Sequence, residues 1–127
     1  MSVGILLISH PGIASAIKAN ANRIWPHSSL QVETLEVPFD SDIQEISQQS
    51  QQKLDQLDTG EGVLVLCDIA GASPCNMSHE HAGHEVIRVS GLNLPMLIKA
   101  YNYADRSLTE LSALVIEGSS RSITRLP

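Results

Sequence analysis

Val3-Gly4-Ile5-Leu6-Leu7-Ile8, followed at once by Ser9-His10-Pro11-Gly12, decides the fold class. A continuous apolar run with branched side chains reads as a strand covered on both faces, the mark of a parallel sheet. Ser9 to Gly12 breaks the run. Ile13, Ala16, Ile17, Ala21 and Ile24 then recur at helical spacing, and Pro26 ends that helix.

The rest of the chain repeats the alternation. Leu30 to Val37 mixes apolar and polar positions and reads as a strand nearer an edge. Pro38-Phe39-Asp40-Ser41 is a loop, with Ser41 or Asp42 as helix cap. Ile43, Ile46, Leu54 and Leu57 mark an amphipathic helix whose glutamine-rich outer face, Gln48 to Gln52, is a solvated surface. Val63 to Cys67 is a second fully apolar strand and ends at Asp68. Ile69 to Asn76 is a loop of small residues, and a short helix is expected from about Asn76 to Gly83. Glu85 to Val89 reads as a third inner strand. Leu94 to Ala104 is helical, with Pro95 tolerated in the first turn. Leu108, Leu111, Leu114 and Val115 mark a last helix stopping near Gly118, and residues 121–126 suit a final edge strand. Strands alternating with helices predict an α/β fold: an open, mainly parallel sheet with helices on both faces. The 127 residues are expected to form a single domain, 1–127.

Composition narrows the function. Hydrophobic residues make up 43% and charged residues 17%, which excludes a disordered chain. Aromatics are 3%, so the core is aliphatic. Fourteen acidic against eight basic residues, with no basic cluster, argue against a nucleic-acid partner. The cysteines, Cys67 and Cys75, match neither CxxC nor a zinc ribbon, and two lone thiols fit a reducing compartment. No apolar run approaches the ~20 residues of a membrane span. Met1 precedes the first strand with no basic leader, so a cytoplasmic location is expected.

In an open α/β sheet, ligands bind beyond the carboxyl ends of the strands, where the strand order reverses. Ser9-His10 ends the first strand and Asp68 the third. If those two strands flank the reversal, His10 and Asp68 face one crevice. A carboxylate on one imidazole nitrogen fixes the tautomer and leaves the other nitrogen's lone pair for a ligand. Such a histidine is a general base, a metal ligand or a nucleophile. The plainer alternative is that His10 caps the first helix and Asp68 caps a turn. The loop Ala70 to Cys75 can bring backbone N–H groups close to an anion, though it is neither a Walker loop nor a GxGxxG fingerprint. As a plain connection it is a Ser-Pro turn.

Other constellations carry less. His79, His81 and His84 lack the one-face spacing of a zinc helix and read as an exposed histidine-rich turn. Ser73 lacks a GxSxG elbow, and Pro74 offers no N–H to an oxyanion hole. Cys75 as nucleophile, with His10 as base, is similarly weak, and Cys67 is most simply a core residue.

Three blocks give the chain a family likeness: Ile8-Ser9-His10; Val65-Leu66-Cys67-Asp68 through Gly71-Ala72-Ser73-Pro74-Cys75-Asn76; and Val89-Ser90-Gly91-Leu92-Asn93-Leu94-Pro95-Met96-Leu97. Together they resemble the enzyme IIA component of the mannose family in the bacterial phosphoenolpyruvate-dependent sugar phosphotransferase system. The resemblance implies a phosphotransferase that takes a phosphoryl group from the phosphocarrier protein HPr onto Nε2 of His10. Asp68 would hold Nδ1, and the group would pass to a IIB component or a regulatory protein. It implies phosphate contacts from Gly71, Ala72 and Ser73, and a crevice rim of Asn93, Leu94, Pro95 and Met96. Ile13, Ile69, Leu92 and Met96 are the expected partner contacts. It implies a homodimer in which a C-terminal edge strand, residues 121–126 here, is exchanged. It allows association with a membrane permease without insertion, and no cofactor or metal is expected.

The chain departs from the family pattern at two positions. Pro11 stands where a glycine is common; it has no N–H for a phosphate but suits a first helical position. Ala72 stands where the family usually has glycine, which strains the loop if φ is positive there. Two further readings stay open: a non-catalytic regulatory or binding module of the same fold, which Pro11 favours, and a phosphoryl donor subunit for dihydroxyacetone kinase.

Overall fold

A computed structural model of the chain describes residues 2–70 and 83–127. The element order is β1 (Gly4–Ser9), α1 (Ile13–Ile24), β2 (Val32–Glu36), α2 (Ile43–Leu57), β3 (Val63–Cys67), β4 (Val86–Ser90), α3 (Leu94–Asn102) and α4 (Leu108–Arg121). The expected helix near Asn76 lies outside the described residues.

The four strands form one sheet in the order β2-β1-β3-β4, with every neighbouring pair parallel. The chain leaves β1 toward β2 on one side and leaves β3 toward β4 on the other. The reversal therefore lies between β1 and β3. Ile8 is paired with Cys67, so the two strands end level with each other.

Alternation along β1 and β3 sorts their side chains to the two faces. Ile5, Leu7, Leu64 and Leu66 join Ala14, Ala21, Leu97, Leu111 and Val115 beneath α1, α3 and α4. Leu6, Ile8, Val63, Val65 and Cys67 join Ile46, Leu54 and Leu57 of α2. Both central strands are wholly buried, which is why they read as unbroken apolar runs. α2 comes so close that a Cβ on Gly4 would lie 2.6 Å from the Leu57 carbonyl oxygen.

Several expectations need correction. β4 is an edge strand, not an inner one: Val89 is its single buried residue, and Arg88 interrupts its apolar run. The last helix runs through Gly118 to Arg121. Gly118 serves packing there, since a Cβ would fall 2.8 Å from the stem of Lys99. Residues 123–127 form no strand within the chain. Pro11 does not open α1; it sits in a turn with Gly12, whose φ of 87° redirects the backbone before Ile13. Cys67 is disulfide-bonded rather than a lone thiol.

Candidate functional site

Ser9 closes β1 fully buried, and its hydroxyl is used twice. Oγ accepts the Ala14 N–H at 2.9 Å and donates to the His10 carbonyl at 2.7 Å. The first bond satisfies one of the free amides at the start of α1. The second fixes the peptide that carries the imidazole.

Asp68 follows β3 on the neighbouring strand and meets His10 across the reversal. Its Oδ2 lies 2.7 Å from His10 Nδ1 and accepts the His10 backbone N–H at 2.9 Å. Oδ1 accepts the Ile69 N–H at 2.9 Å. Burial pushes the Asp68 carboxyl up, but the bonds from the His10 amide and ring and the Ile69 amide outweigh it and hold the group below its usual range. An ionised carboxylate accepts a hydrogen bond from Nδ1–H, so Nε2 carries the lone pair. The Asp68 side chain is 7% exposed against 25% for His10, so the ring remains reachable while its partner is sheltered. The plainer reading of two unrelated caps fails on the side chains: the His10 carbonyl and Ser9 Oγ take the Ile13 and Ala14 amides at the start of α1, while the His10 ring goes to Asp68.

Two side chains at this end of the sheet were not singled out by sequence reasoning. The Phe39 ring, from the loop after β2, lies 5.2 Å from the imidazole by centroids, tilted 36°. Glu36, the last residue of β2, accepts the Ser15 N–H at 2.9 Å. The Ser15 hydroxyl and the amides of Ser15 and Gly12 lower its carboxyl. A carboxylate thus already sits on the positive end of α1. The available signals were Glu36 at a strand's carboxyl end and a rare aromatic in a loop beside one. Ile13, Phe39 and Ile69, close in sequence to His10 or Asp68 or in ring contact with His10, are all exposed.

The remaining expected site residues divide. Gly71, Ala72 and Ser73 lie outside the described residues, as do Cys75, His79 and His81. Asn93 turns inward: its Oδ1 accepts the Met96 N–H at 2.8 Å, and its Nδ2 donates to Ser119 Oγ at 2.6 Å. Leu94 is half-buried and Pro95 exposed, so both can form an edge. Met96 is 2% exposed and Leu92 8%, which corrects their assignment to the rim and the docking surface. Both belong to the core: Met96 lies on the buried side of α3, and Leu92, just before the helix, is held by its N–H to the Cys67 carbonyl at 3.0 Å.

His84 lies at the other end of the sheet, before β4. Its Nδ1 is 2.7 Å from Asp58 Oδ2 and its Nε2 2.6 Å from Asp55 Oδ1. Hydrogen bonds from its ring to the carboxylates of Asp55 and Asp58 raise its pKa, and those bonds lower both carboxyls. No group of three or more acidic, histidine or cysteine side chains among the described residues is placed to hold a metal ion. Among them, too, no helix is long and apolar enough to cross a membrane.

Known proteins give this geometry its context. The structure is similar to phosphotransferase system component EIIA from Streptococcus agalactiae, at 22% identity and a TM-score of 0.82 over 97% of this chain and 96% of that one. It is similar to the PTS IIA protein associated with the fucose utilization operon of Streptococcus pneumoniae, at 26% identity and a TM-score of 0.80 over 98% and 96%. In sequence, 48 residues are 48% identical to YadI of Escherichia coli (strain K12), named for an enzyme IIA component of a phosphotransferase. That match spans 35% of this chain and 32% of YadI, about a third of each. The family model EIIA-man, described as the PTS system fructose IIA component, matches residues 4–116. The chain therefore belongs to the EIIA-man family of IIA components of the sugar phosphotransferase system.

Proposed function

We propose that the chain, as one domain of residues 1–127, is a cytoplasmic phosphoryl carrier with His10 as its acceptor and Asp68 as its orienting group. The observation that carries this reading is the 2.7 Å contact between His10 Nδ1 and Asp68 Oδ2 at the strand reversal. It occupies one ring nitrogen and leaves Nε2 as nucleophile. The Nε2 lone pair attacks phosphorus on the phosphohistidine of HPr. The P–N bond of the donor breaks as the P–Nε2 bond forms, and the Nδ1 proton stays on the ring, hydrogen-bonded to Asp68. The ring gains positive charge during transfer, and the nearby carboxylate stabilises it. The same features make the imidazole a good leaving group in the onward step to a IIB component or a regulatory protein.

Amides of Gly71, Ala72 and Ser73 are proposed to cradle the phosphate, on sequence grounds. Leu94 and Pro95 are proposed for the rim, and Ile13 and Ile69 for partner docking. Homodimerisation by exchange of the C-terminal segment draws support from two observations. β4 is an edge strand, and Ile123 and Leu126 are 81% and 80% exposed.

The test is incubation with phosphoenolpyruvate, enzyme I and HPr, followed by intact-mass measurement. One acid-labile phosphoryl group is expected on the wild type and none on His10→Ala. A wild type that stays unmodified, or a His10→Ala variant that is modified equally, overturns the reading.

A further inference from the structure

Phe39 is 82% exposed, the most of any large apolar side chain among the described residues. Its place is nonetheless built. Val37, two residues before it, donates its N–H to the Ser9 carbonyl at 2.9 Å, pinning the loop to the residue that precedes His10. Beyond it, the Ser41 N–H and hydroxyl both bond the Pro38 carbonyl, at 3.2 and 2.8 Å. Asp42 then caps α2 through the Gln44 N–H. The loop is held on both sides of Phe39, and its ring lies on the imidazole rather than on the core. An aromatic ring at that distance and tilt makes a favourable contact with the imidazole.

We infer that Phe39 is a positioning residue that restrains the His10 ring and screens it from water. Asp68 fixes the ring by its Nδ1 edge, and Phe39 lies against the ring itself, so together they leave Nε2 as the accessible atom. The consequence for a carrier rests on the reading proposed above. A phosphohistidine is lost when water oxygen attacks phosphorus. The P–Nε2 bond then breaks, its electron pair returns to the nitrogen, and inorganic phosphate and a proton are released. An apolar ring beside the imidazole removes part of the space from which water attacks, without adding a charge that would trap the phosphate.

The test compares wild type, Phe39→Ala and Phe39→Tyr. Because the side chain is exposed, all three are expected to fold, checked by their melting temperatures. The first measurement is the rate of His10 carbethoxylation by diethylpyrocarbonate, followed by mass spectrometry; it needs no phosphoryl donor. Phe39→Ala is expected to react about two- to tenfold faster, with Phe39→Tyr near wild type because it restores the ring. In NMR spectra, the His10 ring protons should lose a ring-current shift in Phe39→Ala and keep it in Phe39→Tyr. The second measurement is the half-life of the phosphorylated protein, expected to shorten by a similar factor in Phe39→Ala. Equal carbethoxylation rates and unshifted ring protons in all three proteins overturn the inference. A wild type that takes up no phosphoryl group, with the carbethoxylation difference intact, overturns the carrier reading alone.

Discussion

One oxygen of Asp68 reaches His10 twice: Oδ2 faces the ring Nδ1 at 2.7 Å and accepts the backbone N–H at 2.9 Å. The carboxylate therefore sets both the rotation of the imidazole and the position of its peptide. Asp68→Asn keeps the shape and loses the charge. It is expected to fold normally and slow phosphoryl uptake, on the order of 10- to 100-fold, as when an orienting partner of a working imidazole is removed. Rapid-quench measurement of uptake from phospho-HPr checks this, and an unchanged rate refutes the orienting role.

His84 joins Asp55 and Asp58 at the opposite end of the sheet, and its effect should appear in stability rather than activity. Its pKa is raised above 6.5, so its contribution is fully present below that pH and is lost as pH rises through the folded value. Asp58 is lowered from 3.8, so its contribution is present above that pH and is lost as pH falls through its folded value. Melting curves of wild type and His84→Ala should therefore differ most between about pH 4 and 6.5. The gap there is expected to be roughly 2–6 °C and to narrow on either side. A gap independent of pH would show that the histidine contributes packing alone.

Gly4 and Gly118 should respond differently to alanine. At Gly4 a Cβ lies 2.6 Å from the Leu57 carbonyl, a backbone atom that cannot turn aside. Gly4→Ala is expected to cost about 1–3 kcal/mol in urea unfolding. At Gly118 the obstacle is the flexible stem of Lys99, 2.8 Å away. Replacing a helix-interior glycine by alanine gains about 1 kcal/mol, which offsets moving that stem. Gly118→Ala should unfold near the wild-type midpoint.

Asn93 is tied into the fold by two bonds, to the Met96 amide and the Ser119 hydroxyl. Asn93→Ala is expected to lose about 1–2 kcal/mol of stability as a missing helix cap. Its phosphoryl uptake per folded molecule should match wild type. A large loss of uptake without loss of stability would return Asn93 to the crevice rim.

Much of this was legible along the chain. The wholly apolar strands Gly4–Ser9 and Val63–Cys67 could hardly be anything but the centre of a parallel sheet. The cap at Asp42 uses a short polar side chain that local geometry requires, whereas the cap at Asn93 was read as crevice rim. Burial on both faces leaves an inner strand no polar choice, and a helix start needs an acceptor for its free amides. The strand read over Glu85 to Val89 is there, at Val86–Ser90, but its edge position is not legible, because one polar interruption at Arg88 leaves it close to an inner strand's pattern.

What sequence alone determined is the alternation of strands and helices, the histidine and aspartate at two strand ends, and the family likeness. Only the folded chain decided that β1 and β3 are neighbours, that one carboxylate oxygen holds His10 by ring and backbone, and that Phe39 lies on the ring. Those contacts join residues up to 58 positions apart. Local propensity has no term for such distances. They follow from which strands pair and in what register, which packing settles for the whole sheet at once.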